Sequence, residues 1–191
     1  MSKSLGPIHY NLYKKIKKQS ELNLIIYDEF KQMISNDSYI SNLGPIEEEI
    51  DLNNIHYSLN ELINKVECSY ARLINDILTI NINYLNKLKK IAFNFGKLYK
   101  FNSDISLEEV FKKIESFFLN GMPCDKVVSI IEINSREIVY RLDKDVHIMF
   151  NNLKYDSKYY YLLKDEIING LLINTCYKVE RNNFEYKIKI L

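Results

Sequence analysis

From Ile55 onward, Leu59, Leu62, Val66, Tyr70, Leu73, Ile77, Ile80, Tyr84, Leu88, Ile91 and Phe95 follow one another at steps of three or four without a gap. That period is one face of an α-helix, and it constrains the fold more than any other feature of the chain. Unbroken from Ile55 to Lys100, such a helix would run roughly 70 Å at 1.5 Å per residue, too long for a compact body of 191 residues. The spacing therefore predicts two helices with a break near Thr79 to Asn83, where β-branched residues alternate with Asn and helix propensity is low.

The start of this stripe echoes the start of the chain. Leu5-Gly6-Pro7-Ile8 recurs as Leu43-Gly44-Pro45-Ile46, and Ile8-His9-Tyr10-x-Leu12 through Ile16 recurs as Ile55-His56-Tyr57-x-Leu59 through Ile63. Gly-Pro punctuates the backbone, and apolar residues at i, i+4 and i+8 mark a helix. Each copy reads as a turn feeding a helix whose first turn carries a histidine. The first helix is expected from Ile8 to about Ser35, with Ile8, Leu12, Ile16, Leu24, Tyr27 and Ile34 inward. Lys14, Lys15, Lys17 and Lys18 lie mainly on its wet side. The stretch up to Asn54, with the acidic run Glu47-Glu48-Glu49, is a connector with room for one short helical turn.

Ser106-Leu107-Glu108-Glu109 is a capping box, opening a short helix to Leu119 that Gly121 and Pro123 close. Then the period changes. Val127 to Ile133 and Ile138 to Leu142 are β-branched runs around a polar turn, a hairpin. Asp145 to Leu153 and Ser157 to Leu172 return to helical spacing. Cys176 to Glu180 and Phe184 to Ile190 make a second hairpin, with Phe184, Tyr186, Ile188 and Ile190 inward. The expected class is α+β: an N-terminal helical bundle, residues 1–120, followed by a four-stranded, mostly antiparallel sheet in a ββ-αα-ββ part, residues 121–191. The two parts are expected to form one compact unit, with helices on one face of the sheet.

A net charge of +1 supplies no field for nucleic acid or anionic lipid. No apolar run approaches the roughly 20 residues of a membrane span, and the N-terminus lacks the apolar region of a signal peptide. Cys68, Cys124 and Cys176 are too few and too scattered for a disulfide framework or a zinc finger. The expectation is a soluble cytoplasmic protein with reduced thiols. No Gly-x-Ser-x-Gly elbow or Gly-rich phosphate loop occurs, so the sequence names no reaction.

The candidate chemistry rests on His9, His56 and His147, the chain's three histidines. Imidazole is a common ligand of zinc and iron, so the first expectation is a metal held by these three, with Cys124 or Glu67 completing the shell. Against it, no pair has a tight ligand spacing, and each histidine could instead pack on tyrosine at a helix start. The alternative is a non-enzymatic module that binds an apolar small molecule or dimerises, with Tyr10 and Tyr57 as walls of a cleft and Cys124 beside them. His9 and His56 share that cleft only if their helices run parallel or cross steeply with their starts at one level.

The order of elements in the second half, with Tyr159-Tyr160-Tyr161 through Gly170-Leu171-Leu172 and the closing hairpin, resembles small-ligand-binding domains of vinyl-reductase type and related subunits of vesicle-tethering complexes. That resemblance implies a ligand-binding fold. It implies no metal chemistry, because the cysteines some such domains carry after that helix are absent apart from Cys176. The opening Ser4-Leu5-Gly6-Pro7-Ile8-His9-Tyr10, with Gly121-Met122-Pro123-Cys124-Asp125 and the helix from Tyr160 to Leu172, also resembles a group of uncharacterised proteins from clostridia and relatives, over the whole chain.

Overall fold

A computed structural model describes residues 4–34, 37–148 and 156–191. Its α-helices are α1 (Pro7–Phe30), α2 (Ile46–Glu49), α3 (Ile55–Ile80), α4 (Tyr84–Leu98), α5 (Leu107–Phe117) and α6 (Lys158–Leu172); its strands are β1 (Val128–Ile133), β2 (Glu137–Leu142), β3 (Tyr177–Asn182) and β4 (Glu185–Ile190). The class is α+β, and the long stripe breaks between Ile80 and Tyr84 as its low-propensity residues predict. The short helical turn in the acidic connector is α2. The capping box is also present: Ser106 N–H donates to Glu109 Oε2 at 3.1 Å and Glu109 N–H to Ser106 Oγ at 3.4 Å.

Two helix limits differ from expectation. The first helix ends at Phe30, whose carbonyl accepts from both Met33 and Ile34 N–H and closes the last turn short of Ser35. Asp145 to Ile148 are not α-helical. The Asp145 carboxylate accepts locally from His147 N–H, a bond that competes with a helix ladder, and is held from a distance by Ser157 Oγ and Tyr161 Oη. The rest of the helix expected to Leu153 lies outside the described residues.

By packing, the chain divides into two units, and the division does not fall at residue 120. The first holds residues 4–82 and 117–125; the second holds 83–116, 126–148 and 156–191, so α4 and nearly all of α5 belong with the sheet.

In the first unit α1 and α3 run in the same direction. His9 meets His56 at their starts, and further along Asn23 Nδ2 donates to the Val66 carbonyl at 2.9 Å. Leu12, Tyr13 and Ile16 of α1 pack with Leu59, Leu62, Ile63 and Val66 of α3, and both repeated leucines, Leu5 and Leu43, abut this core. Leu12, Ile16, Tyr27 and Ile34 are buried as the apolar spacing marks, but the spacing gives only part of the buried face. Ile8 is exposed and Leu24 is at the surface, while Gln19, Ser20 and Asn23 are buried. These three are satisfied: Gln19 Nε2 donates to Asn23 Oδ1, and Ser20 Oγ to the Ser41 carbonyl, so polar residues can hold a core position.

In the second unit the sheet is antiparallel throughout, in the order β1-β2-β4-β3. Tyr140 and Tyr186 are cross-strand partners stacked 5.0 Å apart, and with Ile138, Leu142 and Ile188 they form the buried face. Phe111 of α5 packs on Tyr140, and Arg181 grips Asp165 of α6 through Nε and Nη2 at 2.7–2.9 Å. The opposite face carries Lys187 on Glu137 and Lys189 and Lys178 on Glu180. Phe184 and Ile190, expected inward, are exposed at the two ends of the run, and only Tyr186 and Ile188 between them are buried.

Helices α4 and α6 meet glycine on glycine. A Cβ built on Gly96 would lie 2.0 Å from the Ile167 carbonyl oxygen, and one on Gly170 would lie 2.2 Å from that of Phe93. Gly170 is thus a contact point inside α6. Alanine is worth about 1 kcal/mol more than glycine in a helix interior, but overpacking costs about 1–3 kcal/mol or more, and here the obstacle is backbone. Gly96→Ala and Gly170→Ala are each expected to lower the urea midpoint; an unchanged or raised midpoint would refute the close crossing.

Hydrogen bonds from Lys189 and then Lys178 hold the Glu180 carboxyl down to about 2 from an ordinary value of 4.5. A depressed carboxylate stabilises the fold above the unfolded-state value and ceases to do so as pH falls through the folded-state one. Glu180→Gln should therefore lower the melting temperature slightly at neutral pH, and the difference from the parent should vanish as the pH approaches 2.

Candidate cleft at the starts of two helices

Gly6 is the N-cap of α1, in extended backbone (φ −110°, ψ 171°), with Pro7 as the first helical residue and His9 as the third. Proline is suited to that place because its φ is already helical and it has no N–H to leave orphaned. Gly6 N–H donates to His9 Nδ1 at 2.9 Å. An N3 side chain reaching back to the N-cap amide is half of a capping box, with imidazole where Glu or Gln usually stands. This bond assigns the tautomer: Nδ1 is the acceptor, so the neutral ring carries its proton on Nε2.

His56 is the second residue of α3, after Asn54 as N-cap. Because α1 and α3 start at one level, the two imidazoles face each other edge to face, with ring centres 6.1 Å apart and planes at 77°. The second Gly-Pro does a different job from the first. It opens α2, and Gly44 N–H is taken by Glu49 Oε1 at 2.9 Å, while the Gly44 carbonyl accepts from Tyr13 Oη at 2.9 Å.

A turn after α5 supplies a third wall. Gly121 adopts φ 74°, which only glycine takes without strain. Asp125 then closes the turn: its carboxylate accepts from Met122 N–H at 2.8 Å, and its own N–H donates to the Met122 carbonyl at 2.9 Å. Met122, Pro123 and Cys124 are thereby set against the starts of α1 and α3. The result is a cleft of about 270 Å³ whose walls are Ile8, Leu12 and Leu59 with Met122 and Pro123, and whose polar groups are His9, His56 and Cys124.

Of the residues singled out in the sequence, the structure brings His9, His56 and Cys124 together at this cleft. His147 is elsewhere, buried in the second unit and stacked on Tyr160 with ring centres 3.4 Å apart. Glu67 is buried on α3, eleven residues and roughly 16 Å of helix beyond His56. Tyr10 and Tyr57 do not line the cleft. Each follows its histidine by one residue, about 100° around the helix. Tyr10 instead donates to Glu47 Oε1 at 2.8 Å, which raises its phenol and lowers the Glu47 carboxyl, and Tyr57 is 60% exposed. Met122 is the wall that the sequence reading passed over; its only signal was its place in Gly-Met-Pro-Cys. Among the described residues no group of three or more His, Cys, Asp or Glu is arranged to hold a metal ion, and no helix is long and apolar enough to cross a membrane.

Cys124 and Cys176 are exposed, whereas Cys68 is half-buried on α3 and burial pushes its thiol up. Only the thiolate is nucleophilic. With iodoacetamide at neutral pH, Cys124 and Cys176 should be alkylated well before Cys68 in the folded protein, and all three at similar rates in denaturant; peptide mass spectrometry reads the order. No protein family, curated protein or solved structure matches the chain.

Proposed function

We propose that the protein is a non-enzymatic binding module whose cleft takes a small, mainly apolar molecule. The observation that carries this reading is the composition of the cleft: five apolar walls enclose about 270 Å³ around two imidazoles and a thiol. Few polar groups in an otherwise apolar concavity are the usual make-up of a ligand site, and the volume lies just below the roughly 300 Å³ at which drug-sized pockets begin. The guest is accordingly small.

Zinc or iron held by His9, His56 and Cys124 is the second reading, favoured by the 6.1 Å separation of the two rings. It meets a specific obstacle. His9 Nδ1 already accepts from Gly6, so a metal on Nε2 would require either the loss of the ring's proton or the release of the Gly6 amide.

Native mass spectrometry of untagged protein, with metal analysis on the same sample, separates the two. The ligand reading expects a small organic adduct, or protection of Cys124 but not Cys176 from alkylation when apolar fragments are added. Stoichiometric zinc or iron that disappears in His56→Gln would replace it with the metal reading. Absence of adduct, of protection and of metal would refute both.

A further inference from the structure

We propose that the guest is a small apolar carboxylate, bound with its carboxylate on His9 Nε2–H beside His56 and its tail against Leu12, Leu59 and Met122. This rests on the cleft being a ligand site. The argument begins with the Gly6 bond, which makes His9 a donor on its remaining nitrogen. A purely apolar guest would cover that donor without answering it, at a cost of about 1–3 kcal/mol. The guest therefore needs an acceptor.

The charge of that acceptor follows from the surroundings. The residues that line the cleft include two imidazoles and no carboxylate. Glu47 accepts from Tyr10, Glu49 from Gly44 N–H and Asp125 from Met122 N–H, and none of them lines the cleft. His56 sets a second imidazole beside that donor, and a carboxylate accepting from the His9 N–H makes a charge-assisted bond. The first turns of α1 and α3, both at the cleft, add the positive ends of two helix dipoles to the same spot. An anionic head group answers all three features, and a neutral hydroxyl or carbonyl answers only the first.

Calorimetric titration of the full chain with hexanoate and with 1-hexanol, which share a tail, tests this. Hexanoate is expected to bind roughly tenfold or more tightly than hexanol, the ratio a charge-assisted hydrogen bond supplies. His9→Gln keeps an N3 side chain able to hold the Gly6 amide, so its melting temperature should stay close to the parent's while the preference for hexanoate largely disappears. His56→Gln, at an exposed position, should reduce the same preference and serves if His9→Gln proves unfolded. Equal binding of the two probes, or a preference that survives in the folded variants, overturns the carboxylate assignment and leaves the binding module standing. If neither probe binds and neither protects Cys124, the assignment and the binding module fall together.

Discussion

The amide of Asn23 sets the level at which α1 lies against α3, and the cleft exists because of that level. Its Nδ2 donates to the Val66 carbonyl while its Oδ1 accepts from Gln19, all of it buried. A backbone carbonyl inside a helix has a second lone pair after its ladder bond is made, and here a neighbouring helix takes it. Apolar packing alone tolerates sliding along a stripe, whereas a buried hydrogen bond has one geometry and a large penalty for being left unmade. With the pair held in this register, the two helix starts coincide and His9 comes to rest against His56. Parallel neighbours need a long return, which residues 31–54 provide, and the second Leu-Gly-Pro-Ile ties that return to α1 through Tyr13 and the Gly44 carbonyl.

The sheet unit solves a separate problem by a different device. Helices α4 and α6 approach until backbone touches backbone at Gly96 and Gly170. Close approach maximises contact for each residue, and it demands residues without Cβ at the crossing. On the buried face of the sheet Tyr140 and Tyr186 stack across strands β2 and β4. Burial pushes the hydroxyls of both rings well above the ordinary phenol range. The opposite face carries lysine–glutamate pairs.

Much of this was legible in the residues. Periodicity found α3, α4 and both hairpins, and the Ser106–Glu109 box was visible because capping is a local matter of three residues. Residues 145–148, expected as the start of a helix after the first hairpin, are not α-helical, since periodicity cannot foresee that the Asp145 carboxylate will take the His147 amide locally and Ser157 and Tyr161 from 12 and 16 residues away. On α1, Leu12, Ile16 and Tyr27 were legible as core, whereas Gln19, Ser20 and Asn23 were not, because hydrophobicity ranks them as surface residues and the partners of Ser20 and Asn23 lie far along the chain. At the cleft, the repeated Ile-His-Tyr pointed to His9 and His56, which lie side by side, but it also suggested Tyr10 and Tyr57, which a turn of 100° per residue carries off the cleft.

The sequence by itself determined the elements, their order and the α+β class, because backbone propensity, side-chain period and capping act within a few residues. It also determined that each repeated phrase places a histidine in the first turn of a helix. Only the tertiary structure decided that those two turns lie at one level, that Met122 and Cys124 close the cleft beside them, and that His147 stacks on Tyr160 instead. Those outcomes depend on contacts between residues tens of positions apart, such as Asn23 with Val66. A contact at that separation has no period to betray it; it emerges only when buried polar groups must find partners and backbones must find room.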